Sequence, residues 1–225
     1  MKIELVTEPM PEGLPGIVPV LLTLEEDTLR AECYEAVAPT VEAHLRAYGE
    51  RVFSDRSLRA LFAAVAPFIE ETGYEPDAYG LSRYYESYRL DENCAPLPDG
   101  AILPGTALLT KKLAALPNRT TMDLGLLLAR KAPCAVHIDG GQVVAVCAVN
   151  DFSEGEAPEV TVETAVGFRR QGYGRSVVAA LADELRRRGY SVCYCCSRYN
   201  HPSKRLARSL GFRRVGKFYA IVGYR

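Results

Sequence analysis

From Cys134 to Val222 the hydrophobic residues switch repeatedly between a period of two and a period near 3.6, and few architectures accommodate the order of the switches. Cys134 to Ile138 and Gln142 to Val149 flank Asp139-Gly140-Gly141, whose glycines tolerate the positive φ of a tight hairpin turn. Glu159 to Val166 alternates, with Val160, Val162, Thr164 and Val166 on one face and Glu159, Thr161, Glu163 and Ala165 on the other. A helix follows from Tyr173 to Arg188, with Val177, Val178, Leu181 and Leu185 as its buried stripe. Then come a strand at Ser191 to Cys195, a helix at Pro202 to Leu210 and strand material at Phe212 to Val222. The order β-β-β-α-β-α-β predicts an α/β (α+β) fold, a mixed central sheet flanked by helices.

The first half has a different pattern. Met1 to Thr7 is strand-like, and a Pro/Gly-rich run extends to Pro19. Thr23-Leu24-Glu25-Glu26 has the form of a capping box, and Leu24, Thr28, Leu29, Cys33, Ala36, Val37, Val41, His44 and Leu45 recur at helical spacing, which predicts a helix of five or six turns. A second helix is expected over Ser57 to Glu70, where Pro67 either kinks it or begins a new turn. Five tyrosines (74, 79, 84, 85, 88) in Gly73 to Leu90 line a pocket or pack between two domains. Asp91 to Gly105 reads as a linker or long loop, and Thr121 to Lys131 as a short helix ended by Pro133. A chain of 225 residues accommodates two small domains: a mostly helical N-terminal one over 1–110 and a second over 111–225.

With 48% hydrophobic and 24% charged residues, disordered and collagen-like classes are excluded. The longest apolar stretch, Gly16 to Leu24, falls far short of the roughly 20 residues of a membrane-spanning helix. No basic-then-apolar segment resembling a signal peptide opens the chain, and seven scattered cysteines suit reduced thiols, so a cytoplasmic protein is expected. Cys193-Tyr194-Cys195-Cys196 reads as the packing of a buried strand and not as a metal site, because zinc needs converging ligand pairs that are missing here. The net charge of −1 hides an asymmetry: residues 1–110 carry 8 basic and 19 acidic side chains, and residues 111–225 carry 19 and 9. Either the halves dock on each other, or the basic half meets an anionic partner.

Arg169-Arg170-Gln171-Gly172-Tyr173-Gly174 lies between the end of a strand and the start of a helix. Unpaired first-turn N–H groups, the positive end of the helix dipole and the lack of Cβ atoms suit an approaching phosphate, and the arginines add charge. A dinucleotide fingerprint would need glycine where Val177 stands, and a Walker loop would need lysine where Tyr173 stands. The alternative is a plain strand-to-helix turn. A second cluster, Asn200 to Phe212, follows at the right distance to form a signature with the first.

Arg169, Gly172 and Gly174, with Asn200, Ser203 and Leu210-Gly211-Phe212 downstream, resemble the GNAT superfamily of acetyl-CoA-dependent N-acetyltransferases, in the subgroup with an extra N-terminal domain. The resemblance covers roughly residues 113–225. It implies an acyltransferase that moves the acetyl group of acetyl-CoA directly to an amine in a ternary complex, without metal. The amine would belong to a small molecule or peptide, with no nucleic acid or membrane partner. By resemblance, backbone N–H groups of Gln171, Gly172, Tyr173, Gly174 and Arg175, continuing into Ser176, cradle the coenzyme's pyrophosphate, with Arg169 beside them. Thr164, Ala165 and Val166 meet the pantetheine arm through their backbone, and Asn200 and Ser203 complete the site. Asn200 and Gly211 are also accounted for as the N-cap and C′ residues of their helix.

Acetyl transfer needs a neutral amine and donors for the oxygen that becomes negative. Glu163 is the first candidate for the base, Glu159 the second and His137 the third; each is equally explained as a strand carboxylate or a core histidine. Ala207 stands where many members of the family carry a tyrosine as general acid. Tyr194, Tyr199 and Tyr219 are substitutes on paper, and packing is the alternative for each. The vacancy also leaves open a non-catalytic acyl-CoA-binding module.

Overall fold

The computed structural model describes residues 1–77, 84–90, 101–104, 133–140, 142–149 and 157–225. Two units emerge: one contains Met1–Ser87, Ser197–Tyr199 and Val215–Arg225, the other Tyr88–Cys196 and Asn200–Arg214. The expected domain boundary near residue 110 and the expected helix over 121–131 lie outside the described residues, as do Gly141 and Tyr79.

The first unit is built on a sheet. Strands β1 (Lys2–Glu8), β2 (Gly16–Glu25) and β3 (Thr28–Tyr34) precede helices α1 (Ala38–Tyr48) and α2 (Asp55–Glu71), with β4 (Glu75–Pro76) and the start of β5 (Tyr84–Leu90) after them. β1 runs parallel to β3, β3 antiparallel to β2, and β2 antiparallel to β11 (Phe212–Tyr224) over Gly216 to Tyr224. Of the helix expected from Leu24 to Leu45, the part up to Tyr34 is therefore hairpin and the part from Ala38 is helical as α1, and the expectation of a mostly helical N-terminal domain is corrected. Leu29, Cys33, Val37 and Val41 are spaced by four, a multiple of two, so the same residues satisfy strand and helix periods. The register decides: Leu29, Ala31 and Cys33 are buried while Arg30 and Glu32 point away. Glu26, the expected capping residue, lies in the two-residue loop between Glu25 and Thr28 with φ of 49°. Pro19 stays in β2 because a bulge there opposes Val18 and Pro19 to Val222 alone, where a missing N–H is tolerated.

α2 starts at Ser54, whose Oγ accepts from the Ser57 N–H at 3.3 Å, and continues through Pro67. Leu58, Leu61, Val65 and Ile69 on its inner face pack with Val41, Leu22 and Ile221 in the unit's core. Tyr74 and Tyr84 belong to the same core, so packing explains these two tyrosines.

In the second unit β6 (Ala101–Pro104), β7 (Pro133–Asp139), β8 (Gln142–Val149) and β9 (Val160–Thr164) form an antiparallel sheet. β6 falls within the stretch expected to be linker. Helix α3 (Tyr173–Arg187) packs Val177, Val178, Leu181 and Leu185 into a core with Ala135, Ala145, Cys147 and Tyr88. β10 (Cys193–Ser197), α4 (His201–Ser209) and the start of β11 complete the expected order. Tyr194 and Cys196 enter that core while Cys193 and Cys195 are half-buried on the other side of the strand. Among the described residues, β9 and β10 are joined at one end alone, by the parallel bridge of Glu159 to Cys193 and the Cys193 N–H donating to the Pro158 oxygen at 2.9 Å.

One buried pair makes the first unit sensitive to acid. His44 Nε2 lies 2.8 Å from Ser57 Oγ, its ring stacks on Tyr48, and burial holds the imidazole below its ordinary pKa. The unfolded chain then takes up a proton more readily than the native one, so this stabilisation is complete above about pH 6.5 and is lost as pH falls through the lower native value. Urea midpoints should fall from pH 7.5 to pH 5.5, and His44→Gln, whose amide still reaches Ser57, should flatten that dependence; an unchanged slope in the variant contradicts the assignment.

Candidate active site

The loop Arg169-Arg170-Gln171-Gly172 turns the chain from β9 into α3 with two left-handed residues, Arg170 at φ 64° and Gly172 at φ 90°. Left-handed residues close together aim successive N–H groups at one concavity, and here that concavity coincides with the start of a 15-residue helix. Gln171 uses its side chain to donate to the Gly167 oxygen at 3.2 Å, fixing the turn from behind. Gly174 is favoured for a different reason: a Cβ there would lie 3.0 Å from Thr164 Oγ1, so the first turn of α3 sits close against β9 and the threonine side chain would have to give way.

α4 approaches from the other side. Asn200 Oδ1 accepts from the Ser203 N–H at 3.1 Å, so the N-cap expectation holds, and Gly211 at φ 84° follows the last turn. Arg175 Nη2 donates to the Ser209 oxygen at 3.2 Å, joining α3 to the carbonyl end of α4. Between β9, the glycine loop and α4 lies a cavity of about 690 Å³.

Eight of the residues expected at the site line this cavity: Glu163, Thr164, Arg169, Gly172, Gly174, Arg175, Asn200 and Ser203. Ala165 does not. Its N–H donates to the Val144 oxygen and its own oxygen accepts from the Phe168 N–H, so its backbone serves the neighbouring strand and turn. The alternation then directs the backbone groups of Val162 and Thr164 away from β8, to the side on which β9 and β10 part. Val166, Gln171, Tyr173 and Ser176 also stand outside the lining, although Val166 is well exposed beside it. The cavity adds Val162, Arg170, Pro202, Arg205, Leu206 and Ser209. Positions 202, 205, 206 and 209 share one face of α4 at helical spacing, a signal present in the sequence.

Glu163 and Glu159 differ. Glu163 is largely buried (16% side-chain exposure) and pairs with Arg169 Nη2 at 3.5 Å, while Arg169 Nε donates to the Thr164 oxygen at 3.2 Å. Glu159 sits in the bridge that closes the strand pair, four residues or roughly 13 Å along the strand from Glu163, and does not line the cavity. His137 turns to α3, with Nδ1 3.3 Å from Ser176 Oγ and its ring centroid 4.4 Å from that of Tyr173, whose hydroxyl donates to Asp139 Oδ2 at 3.0 Å.

Ala207 is fully buried, on the core side of α4 rather than the cavity side. Of the substitute tyrosines, Tyr194 is buried behind α4 with its hydroxyl bonded to Ser203, and burial pushes its pKa up, which suits packing. Tyr199 and Tyr219 belong to the first unit.

Residues 136–221 match the family model described as FR47-like protein. No curated protein sequence matches the chain. Among solved structures, a putative acetyltransferase of the GNAT family from Novosphingobium aromaticivorans superposes with a TM-score of 0.55 at 18% identity, covering 64% of this chain and 65% of that one. A GNAT-family acetyltransferase from Colwellia psychrerythraea gives 0.52 at 16% identity, covering 63% of this chain and 56% of that one. The chain thus spans less than two thirds of the length of either. The likeness shows the fold: the mixed sheet flanked by helices is the GNAT arrangement.

The two glycines should fail differently on substitution. Gly172→Ala meets no atom within 4 Å but forces φ of 90°, and should cost about 1–2 kcal/mol of unfolding free energy. Gly174→Ala should instead be strongly non-additive with Thr164→Ala, which removes the opposing Oγ1. Urea titrations of the four variants check this, and additivity of the 174 and 164 changes contradicts the close contact.

Proposed function

We propose that this chain, whose fold is that of the GNAT acetyltransferases, moves an acetyl group from acetyl-CoA to the amine of a small molecule or peptide. The observation that carries the reading is the convergence, in one cavity, of a glycine turn with its helix N-terminus, four arginines and the side of β9 turned away from β8. Acetyl-CoA supplies an activated acyl group and a thiolate that leaves readily.

The residues present suit such a ligand. The N–H groups at the start of α3 take the pyrophosphate. Arg169, Arg170, Arg175 and Arg205 neutralise phosphate charge from the rim. Val162 offers its backbone groups to the pantetheine amides in the manner of an added strand, next to the Thr164 oxygen that Arg169 holds. Asn200 has its oxygen committed to the cap and keeps its amide N–H groups for the same arm.

Glu163 accepts the amine's proton, directly or through a water, with the Arg169 guanidinium beside it. A single cavity lined by both the proton acceptor and the coenzyme cradle supports direct transfer in a ternary complex.

Thermal unfolding with acetyl-CoA, and with ATP and NADH as phosphate-bearing controls, tests the reading. A ligand at 100 times its Kd should stabilise by about 2.7 kcal/mol. A shift specific to acetyl-CoA is expected; equal shifts with all three would reduce the cavity to a general anion site. With an acceptor in hand, Glu163→Gln should lower kcat about 100-fold with little change in acetyl-CoA binding. An unaffected kcat removes Glu163 from the mechanism.

A further inference from the structure

β1 is the outermost strand of the first unit, paired with β3 on one side and with no described strand on the other. It is seven residues long, without proline or bulge, and contributes nothing to the core. Ile3, Leu5 and Val6 are 45%, 38% and 40% exposed, on both faces of the strand. Edge strands with exposed apolar residues and neither proline nor bulge pair with further strands unless something blocks them.

The hydrogen-bond phase of this edge is fixed. The Lys2 N–H donates to the Asp27 oxygen next to β3 at 2.8 Å, so the backbone groups of Lys2, Glu4, Val6 and Glu8 face inward. By alternation, those of Ile3, Leu5 and Thr7 face the open side. An antiparallel partner must then oppose odd positions to odd ones. Suppose the partner is a second copy, with the two-fold axis at Leu5. Leu5 then opposes the partner's Leu5, Ile3 opposes the partner's Thr7, and all seven residues find a counterpart.

The charges select this register. It places Lys2 opposite the partner's Glu8 and Glu8 opposite the partner's Lys2, in the close, non-hydrogen-bonded type of pair. Sliding by two positions either way opposes Glu4 to the partner's Glu4 or to the partner's Glu8. A parallel in-register pairing opposes every charge to its like. We propose that β1 is a self-association edge, joining two copies of this chain antiparallel about Leu5 into one continuous sheet. This inference is independent of the coenzyme site.

The test uses the full chain with any tag at the C-terminus. Sedimentation equilibrium should show a reversible dimer. Lys2→Glu and Glu8→Lys alone each create two opposed like-charge pairs and should weaken it by about tenfold. Mixing the two variants should restore association, because every opposed pair in the mixed dimer is then complementary. Leu5→Pro removes an outward N–H and leaves the ladder to β3 intact, so it should give a monomer with an unchanged circular dichroism spectrum. Leu5→Cys should cross-link on mild oxidation where the parent chain does not, since hydrogen-bonded antiparallel pairs lie about 5.5 Å apart between Cα atoms, within disulfide reach. A strictly monomeric parent overturns the proposal, and so does a dimer indifferent to these changes.

Discussion

The second unit depends on an interaction that stops early. β9 and β10 run parallel and side by side, yet the bridge at Glu159 and Cys193 is their one described link. Beyond it β9 continues to Thr164 with β8 on one side and, among the described residues, no ladder on the other. Strand groups that no ladder pairs are satisfied in other ways, as the Thr164 oxygen is by Arg169 Nε at 3.2 Å, and a wedge of this kind opens the sheet there. α3 and α4 begin on the two sides of that wedge, so their amide ends and arginines gather where the sheet is open.

The glycine loop is the complementary device. A strand that ends at Thr164 must reach a helix that starts at Tyr173 close enough for Gly174 to touch Thr164. The left-handed residues at 170 and 172 make the reversal in few residues, and the close approach brings the N–H groups of α3 beside the exposed backbone of β9. Arg169 is the hinge of the charge arrangement, bonded at once to the Thr164 oxygen and to Glu163.

Much of this was legible in the chain. The period changes after Cys134 predict the strands and helices of the second unit, because each is a local amphipathic pattern bounded by Gly, Pro or Asn. Arg169, Gly172, Gly174, Asn200 and Ser203 lie on the cavity because the glycine turn and the Asn200 cap are local structures too. The misreading of residues 24–34 has a physical cause, since spacing by four serves both periods and only the pairing with β1 and β2 shows which applies. Ala165 illustrates a second limit. Alternation tells which residues share a face, while the direction of their N–H groups depends on the partner strand, which the sequence does not name.

β2 lies within the first 25 residues and its partner in the sheet, β11, begins at position 212. The ladder between them closes a loop of nearly the whole chain, a very non-local contact of the sort that slows folding. The first unit therefore cannot be completed before its last segment has been made: α1, α2 and the β2–β3 hairpin must wait, with their apolar faces partly uncovered, until Val215 to Arg225 has emerged. Vectorial synthesis, which usually lets an N-terminal unit fold first, makes this one the last to finish.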